Sequence, residues 1–500
     1  TVLIKEESFV DHTYHDLLFS DGVWGNDILR LRQKIDFEQS TELFTSYNDF
    51  GFQFGDSFAI ASESGDGNLW VILNDKSFIY YNTDTQEYTK YPILKGDRVT
   101  NLSEIEINGR RYLSLEYQWS ASTILYDINN TPGNIADDTY VDYATKVGFS
   151  EYAGFKLIDV DTRNGKTALF GIALSSDETF MIWIDTKGTI MDISDDTYVT
   201  WGTEDNLFYM GEEDGYQTEN DIVAGYFDQE LNSFIMSSYV SGIFVCNDGG
   251  DPENKANDTC KYYDQMSNVF SIIKDPNDYY WLGGDHGMVR IDSKNTQNIQ
   301  DDTYIKILGN NGIYPSSEGI SNLLFIEGDY PVGDEIWYLT RNGYLRALEY
   351  NFTYDDFLDD TRYSYKISTL NNVISANSNI VLADRNTFYT VAQGAGLQKI
   401  SLTRSFESIN TIEMLPIPPD GVLAINYIDL EQVLGTVSSG SIYTLNDLVT
   451  YEVSNDSGIT WYPITQGERV QFPTPDYKLK LRITLTSGSS PIIDLIKVSY

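Results

Sequence analysis

The chain has 500 residues, 14% of them aromatic with 37 tyrosines, and a formal net charge of −42. Such a length exceeds one ordinary hydrophobic core, so a large repeat unit with a smaller companion is the starting expectation. The charge makes a DNA or RNA duplex a poor partner, and it strains the compact state by a self-repulsion that salt or divalent cations would relieve. No apolar run reaches the roughly 18 residues of a membrane span. No signal peptide is visible, and the chain opens at Thr1 rather than Met, which leaves a processed start open. Abundant Tyr, Thr, Ile and Val, with no sustained 3.6-residue apolar period, favour strands throughout.

Residues 1–35 precede any recurring pattern and are expected to be an N-terminal extension. Residues 40–51 resemble an outermost strand with its exit loop. From there a unit recurs. Residues 68–82 carry a short apolar run into Trp70, a polar turn, then the alternation Phe78-Ile79-Tyr80-Tyr81-Asn82. Residues 279–292 repeat this around Trp281, and residues 335–348 repeat it around Trp337. Phe170, Phe234 and Tyr389 are candidates for the same position in weaker copies. A strand–turn–strand unit recurring about every 50 residues predicts the blades of a β-propeller. Inner strands are expected to begin near Ser57, Leu102, Lys156, Asn220, Ser267, Ser321 and Asn372, which predicts seven blades over 36–415.

Glycine falls where the turn after the aromatic strand needs positive φ, at Gly242, Gly287, Gly343 and Gly396. A second word also repeats in the linkers: Asp137-Asp138-Thr139, Asp195-Asp196-Thr197, Asp301-Asp302-Thr303 and Asp359-Asp360-Thr361. It leads into the outer strand of each blade. An N-terminal strand completing the last blade, beside residues 372–415, would hide both sheet edges.

The runs Asp66-Gly67-Asn68-Leu69-Trp70 through Tyr81-Asn82, and Trp281 through Gly287 to Asp292, resemble the blade of the two-component-regulator-type propeller family. Residues 337–348 and 394–400 match it in part. The resemblance implies a propeller and no catalytic residue, because the residues such blades share are structural.

Cys246 and Cys260 are the two cysteines, flanking a polar loop. A disulfide closing it would stabilise by about 3 kcal/mol in the chain-entropy model and would place assembly outside a reducing cytosol. Two unrelated thiols remain the alternative. Calcium is the one cofactor that the Asp-rich loops suggest. The weak candidates are Asp248 and Asp251 in the cysteine loop, and Asp159 and Asp161 in a stretch that resembles the start of an EF-hand loop. That stretch carries Arg163 at a ligand position and lacks the closing Glu. A solvated turn is the alternative for each. His12, His15 and His286 are too isolated for a zinc site, and no G-x-S-x-G word occurs.

The segment Ile417-Pro418-Pro419-Asp420-Gly421 breaks the pattern, and 416–500 are expected to form a small C-terminal β-sandwich. Ser454 to Trp461 matches the Asp-box word of sialidase-like propellers, in which Asp456 and the serine would tie the turn backbone. The series Lys478, Lys480, Arg482 and Lys497 makes this the most basic stretch of an acidic chain. Residues 447–500 resemble terminal modules of tailed-phage tail and fibre proteins, and similar modules occur in secreted bacterial proteins. The expected fold is therefore all-β, a seven-bladed propeller with a C-terminal sandwich. The expected role is a tail-associated virion structural protein, serving assembly or host attachment without catalysis. Its partners would be other virion subunits in a symmetric homo-oligomer, and a host surface glycan, with no nucleic acid and no membrane span. The alternatives are a secreted bacterial propeller binding glycan or peptide, and a polysaccharide-cleaving enzyme.

Overall fold

The computed structural model describes residues 4–8, 17–19, 22–25, 28–31, 33–37, 41–42, 61–72, 77–92, 94, 99–117, 122–143, 154–174, 179–201, 222–238, 242–263, 268–285, 287–306, 319–328, 334–349, 361–367, 380–392, 396–406, 409–414, 425–437, 445–476, 479–486 and 491–499. Among them strands dominate, and the one α-helix is the single turn Leu445–Leu448. No helix among the described residues is long and apolar enough to cross a membrane.

Among the described residues six sheets are antiparallel meanders of four consecutive strands. The first runs Ala61–Glu63, Leu69–Ile72, Phe78–Tyr81 and Tyr88–Tyr91; the second Val99–Ile107, Arg110–Tyr117, Ser122–Asp127 and Thr139–Asp142. The third runs Gly154–Asp161, Ala168–Leu174, Thr179–Asp185 and Thr197–Trp201; the fourth Ile222–Asp228, Ser233–Ser238, Gly242–Asn247 and Thr259–Tyr263. The fifth runs Val269–Lys274, Tyr279–Gly284, Gly287–Asp292 and Thr303–Lys306; the sixth Ile320–Ile326, Glu335–Thr340, Tyr344–Glu349 and Thr361–Lys366. A further sheet, Ile380–Asp384, Thr387–Ala392 and Gly396–Phe406, takes its fourth strand, Gln33–Phe37, from near the N-terminus.

The first strand of each sheet touches the first strand of the next, and that of the last sheet returns to that of the first. The architecture is a β-propeller. Its core is divided among the interfaces between neighbouring sheets. Trp70, Phe78 and Tyr91 of the first sheet pack with Leu113, Ile124 and Tyr126 of the second. Leu69 and Tyr81 pack with Tyr389 and Leu397 of the closing sheet. The second and third strands therefore bury both faces, which explains runs such as Leu69–Ile72, Glu335–Thr340 and Gly242–Asn247, while the first strand Val269–Lys274 is mostly half-buried.

The closing strand lies ahead of the segment that the sequence pattern suggests. Gln33–Phe37 pairs with Leu402 to Phe406, and the described part of 40–51, Thr41–Glu42, pairs with Gln398 and Lys399; the rest of that segment lies outside the described residues. The physical reason is the alternation Gln-Lys-Ile-Asp-Phe. It sends Ile35 into the core with Trp337, Phe388 and Ile400, and lays Phe37 flat on Tyr365 at 4.8 Å.

Two more sheets combine both ends of the chain. One orders Gly22–Gly25, Ile28–Leu31, Pro491–Ser499, Ile425–Val437 and Arg469–Asp476, with Ile4–Ser8 also on Pro491–Ser499. The other orders Leu17–Phe19, Ile409–Met414, Lys480–Thr486, Val449–Ser454 and Tyr462–Ile464. They share a core that includes Ile428, Leu430, Val453, Phe472, Leu481 and Ile483. The expected N-terminal extension thus supplies strands here as well as to the ring.

Candidate functional site

In an antiparallel meander the first–second and third–fourth connections leave at one end of the sheet. At that end of the ring, cations tie neighbouring sheets through buried carboxylates. Arg111 of the second sheet donates to Glu104 at 2.5 and 3.0 Å and to Ser64 Oγ of the first sheet. Trp70 donates its indole N–H to the same Glu104 at 2.6 Å. Lys274 of the fifth sheet reaches Asp228 of the fourth at 2.7 Å, and Tyr280 O–H donates to that carboxylate at 2.6 Å. Burial alone would raise Asp228, but the hydrogen bonds from Lys274 and Tyr280 hold it below the usual carboxylate range. Arg404 of the last sheet clasps Glu335 of the sixth, which also accepts the indole N–H of Trp337 at 2.6 Å. These carboxylates are engaged by charged or indole donors, so they act as anchors of the ring.

The calcium candidates separate. Asp161 and Asp248 do converge, but on Arg163. Its Nε and Nη2 reach Asp161 at 2.9 and 2.8 Å, and its Nη1 and Nη2 reach Asp248 at 3.0 and 2.6 Å. Asn232 accepts a further bond from Nη1 at 2.8 Å. A guanidinium occupies the place a cation would take. Asp159 accepts from the amide of Val160 at 2.7 Å, and burial, with Asp161 adding to it, raises its pKa. Asp251 is exposed and bonds through its backbone amide to Asp248 O. No cluster of His, Cys, Asp and Glu able to hold a metal ion occurs among the described residues. His12, His15 and His286 lie outside them.

Trp70, Trp281 and Trp337 are fully buried on the second strands of the first, fifth and sixth sheets. They stand opposite Tyr80, Arg290 and Ala347, one residue before the strand partners Tyr81, Ile291 and Leu348. Phe170 and Tyr389 take the same register, opposite Trp183 and Lys399. Phe234 stands one residue earlier, opposite Cys246, and in the second sheet the position is Ser114. Gly287 and Gly343 have φ of 108° and 77° at the second–third turns, where a side chain would be strained. Cys246 and Cys260 are direct cross-strand partners, Cα atoms 4.1 Å apart, and form a disulfide. Asp456 accepts from Ser454 Oγ at 2.7 Å and from the amides of Ile459 and Thr460 at 3.0 and 2.8 Å, closing a tight turn. Trp461 lies under the guanidinium of Arg482 at 3.9 Å.

The Asp-Asp-Thr word has a partner that its own segment does not reveal. Its second aspartate faces an aromatic at the end of the preceding sheet. Trp201 donates to Asp258 Oδ2 at 2.6 Å, in a copy of the word that reads Asn257-Asp258-Thr259. The charges of Asp138, Asp196 and Asp302 act on Tyr91, Tyr143 and Tyr263. Tyr143, Trp201 and Tyr263 each stand five residues after the word's aspartate. Each linker therefore holds the sheet before it and offers an aromatic to the sheet after it. That fixed offset was the available sequence signal.

No family model matches the chain, and no curated protein matches it. A solved structure of streptogramin B lyase is similar with a TM-score of 0.44 and 11% identity, over 74% of this chain and 98% of that one. Raptor of Chaetomium thermophilum is similar with a TM-score of 0.46 and 11% identity, over 73% of this chain and 30% of Raptor. Neither assigns a family.

Proposed function

We propose that this chain is a seven-bladed propeller of the two-component-regulator type, its ring running from Gln33–Phe37 to Gly396–Phe406, with a β-sandwich built from Ile409–Met414, the C-terminal segment and the N-terminal strands. We propose that it serves as a non-catalytic, tail-associated structural protein of a tailed virus particle, acting in assembly and host attachment. One observation carries the reading: the segment resembling terminal modules of tail and fibre proteins forms sheets together with the chain's own N-terminal strands. Both ends of the chain are thereby gathered into one module, a natural point of attachment, and the ring is left to present its other surfaces. The engagement of Glu104, Asp161, Asp228, Asp248 and Glu335 by cations and indoles supports a scaffold rather than an acid–base pair.

Mass spectrometry of purified particles tests it. The chain should be present at a fixed ratio to the other subunits, and its absence would overturn the reading. Hydrolysis of a host polysaccharide by the purified protein would overturn the non-catalytic part. A second reading, a secreted glycan-binding propeller, draws support from the Cys246–Cys260 disulfide. It predicts full binding by the free monomer and no association with particles.

A further inference from the structure

Among the described residues four large hydrophobic side chains stand well exposed: Tyr88, Tyr140, Tyr198 and Ile459. The three tyrosines hold one structural position. Each lies on the outermost strand of its sheet, in the first, second and third sheets, opposite Tyr81, Tyr126 and Ile184 of the third strand. Their exposures are 45%, 53% and 48%, values that leave about half of each side chain open to a ligand. Tyr304 holds the position in the fifth sheet, opposite Ile291, and the disulfide occupies it in the fourth. Tyr140 is braced from behind, parallel to Tyr126 at 9° with centroids 6.1 Å apart. Next to the rings in the chain are the exposed Thr139 and Thr197, and the exposed Asp137 and Asp195 lie in the linkers just before, where they accept from Thr131 and Thr189. The strands that carry them pair on one side only, so backbone donors and acceptors also line the rim.

We infer that this rim binds a neutral polysaccharide, with Tyr88, Tyr140 and Tyr198 as platforms for separate sugar units of one polymer. An aromatic face matches the C–H face of a pyranose, and tyrosine supplies rigid contact area at low entropic cost. Carboxylates, threonine hydroxyls and edge-strand backbone groups match the sugar hydroxyls. The rings are set one per sheet, so they form no contiguous apolar patch of the kind a folded protein covers. A repeated platform suits a repeated ligand, because one chain held at several weak sites gains through effective concentration. The charge of −42 disfavours polyanions. The inference rests on the host-attachment part of the reading above and names its ligand class.

The test is native affinity electrophoresis through gels containing dextran, galactomannan, yeast mannan or mixed-linkage β-glucan, with polygalacturonate as the charged comparison. The full chain should be retarded by at least one neutral polymer and not by polygalacturonate. The triple variant Tyr88→Ser/Tyr140→Ser/Tyr198→Ser should lose about tenfold or more in apparent affinity, and Tyr198→Ser alone a smaller part, as expected for shared sites. Ile459→Ser should bind as the parent. Should the triple variant fail to fold, the single variants, with their far smaller surface change, carry the comparison. No retardation by any neutral polymer, or equal retardation of parent and tyrosine variants, overturns the inference. So does loss of a particle subunit's binding, rather than polymer binding, in these variants. Particle incorporation of the triple variant separates the two readings: normal incorporation without polymer binding by the parent sinks only this one.

Discussion

Trp201, the last residue of the third sheet, donates its indole N–H to Asp258 of the fourth at 2.6 Å, and both are buried. The bond links the outer strand of one sheet to the linker of the next, far from the ring centre where the first strands meet. It shows that the ring is held at its periphery as well as at its core. A propeller has a one-dimensional order of contacts, each sheet touching its two neighbours, so stability depends on the quality of each interface.

Trp201→Phe removes the donor while keeping most of the apolar volume. Asp258 then loses a charge-assisted bond at a buried site, a loss of about 1–3 kcal/mol. Asp258→Asn should cost less, because an amide oxygen still accepts the indole N–H. Equilibrium denaturation of the two variants checks the order, and the reverse ranking would count against the bond as described.

Arg163→Met leaves Asp161 and Asp248 without their shared cation. Removing one partner of a buried ion pair costs about 3–5 kcal/mol. Arg163→Lys should recover only part, since an ammonium lacks the planar fork that reaches both carboxylates. Calcium should raise the thermal midpoint of the methionine variant by more than that of the parent, in which it relieves only the general self-repulsion. An equal calcium response in parent and variant would show that the guanidinium does not fill a cation position.

Trp281 is fully buried between the fifth and sixth sheets, against Ile320, Leu323 and Ile336, and donates to Asp275 at 2.9 Å. Trp281→Ala should destabilise by about 3–5 kcal/mol. Trp281→Phe should cost less than half of that. Both are measurable as shifts in the denaturation midpoint.

Reduction of the Cys246–Cys260 bond should loosen the linker between the third and fourth strands of the fourth sheet. The chain-entropy model assigns such a loop about 3 kcal/mol. Tryptic cleavage after Lys255, half-buried at the loop's short helical turn, should accelerate on reduction and in Cys246→Ser. Equal cleavage rates with and without reductant would deny the bond a structural role.

The repeat was legible where one residue type marks one position. Trp70, Trp281 and Trp337 signal the second strand because each enters the same short apolar run before a turn. Strand edges were legible in kind and misplaced in detail. The alternation of Gln33–Phe37 is only five residues long and competes with the longer polar-apolar stretch at 40–51. Partners across sheets were not legible. Arg163 meets Asp248 at a separation of 85 residues, so local spacing made both aspartates resemble cation ligands and gave no sign of the arginine between them. The same holds at the termini. Ile4–Ser8 pairs with Leu495 to Ser499, almost the whole chain apart, and no local pattern encodes such a pairing.

Two of the linker aspartates, Asp302 and Asp138, make stability depend on pH in a direction opposite to ordinary acid unfolding. Burial raises Asp302 to about 7, with Asp301 and Asp292 adding to the effect and Lys261 opposing it. Burial and the neighbouring Asp137 raise Asp138 to about 6, with Tyr91 opposing the rise. In the unfolded chain each would titrate near 3.9. The folded state therefore binds more protons between about pH 4 and pH 7, and its stability from these groups is lost as pH rises through the folded values. Other carboxylates, Asp228 among them, act in the opposite sense, so the total curve is not diagnostic. The difference between Asp302→Asn and the parent is. An amide stays neutral at all these pH values, so the variant should gain in thermal midpoint relative to the parent at pH 8. That gain should fade by pH 5, where the parent's carboxyl is protonated. A midpoint difference that stays constant from pH 5 to pH 8 would show that Asp302 titrates as an ordinary surface carboxylate and that the interface does not hold its proton.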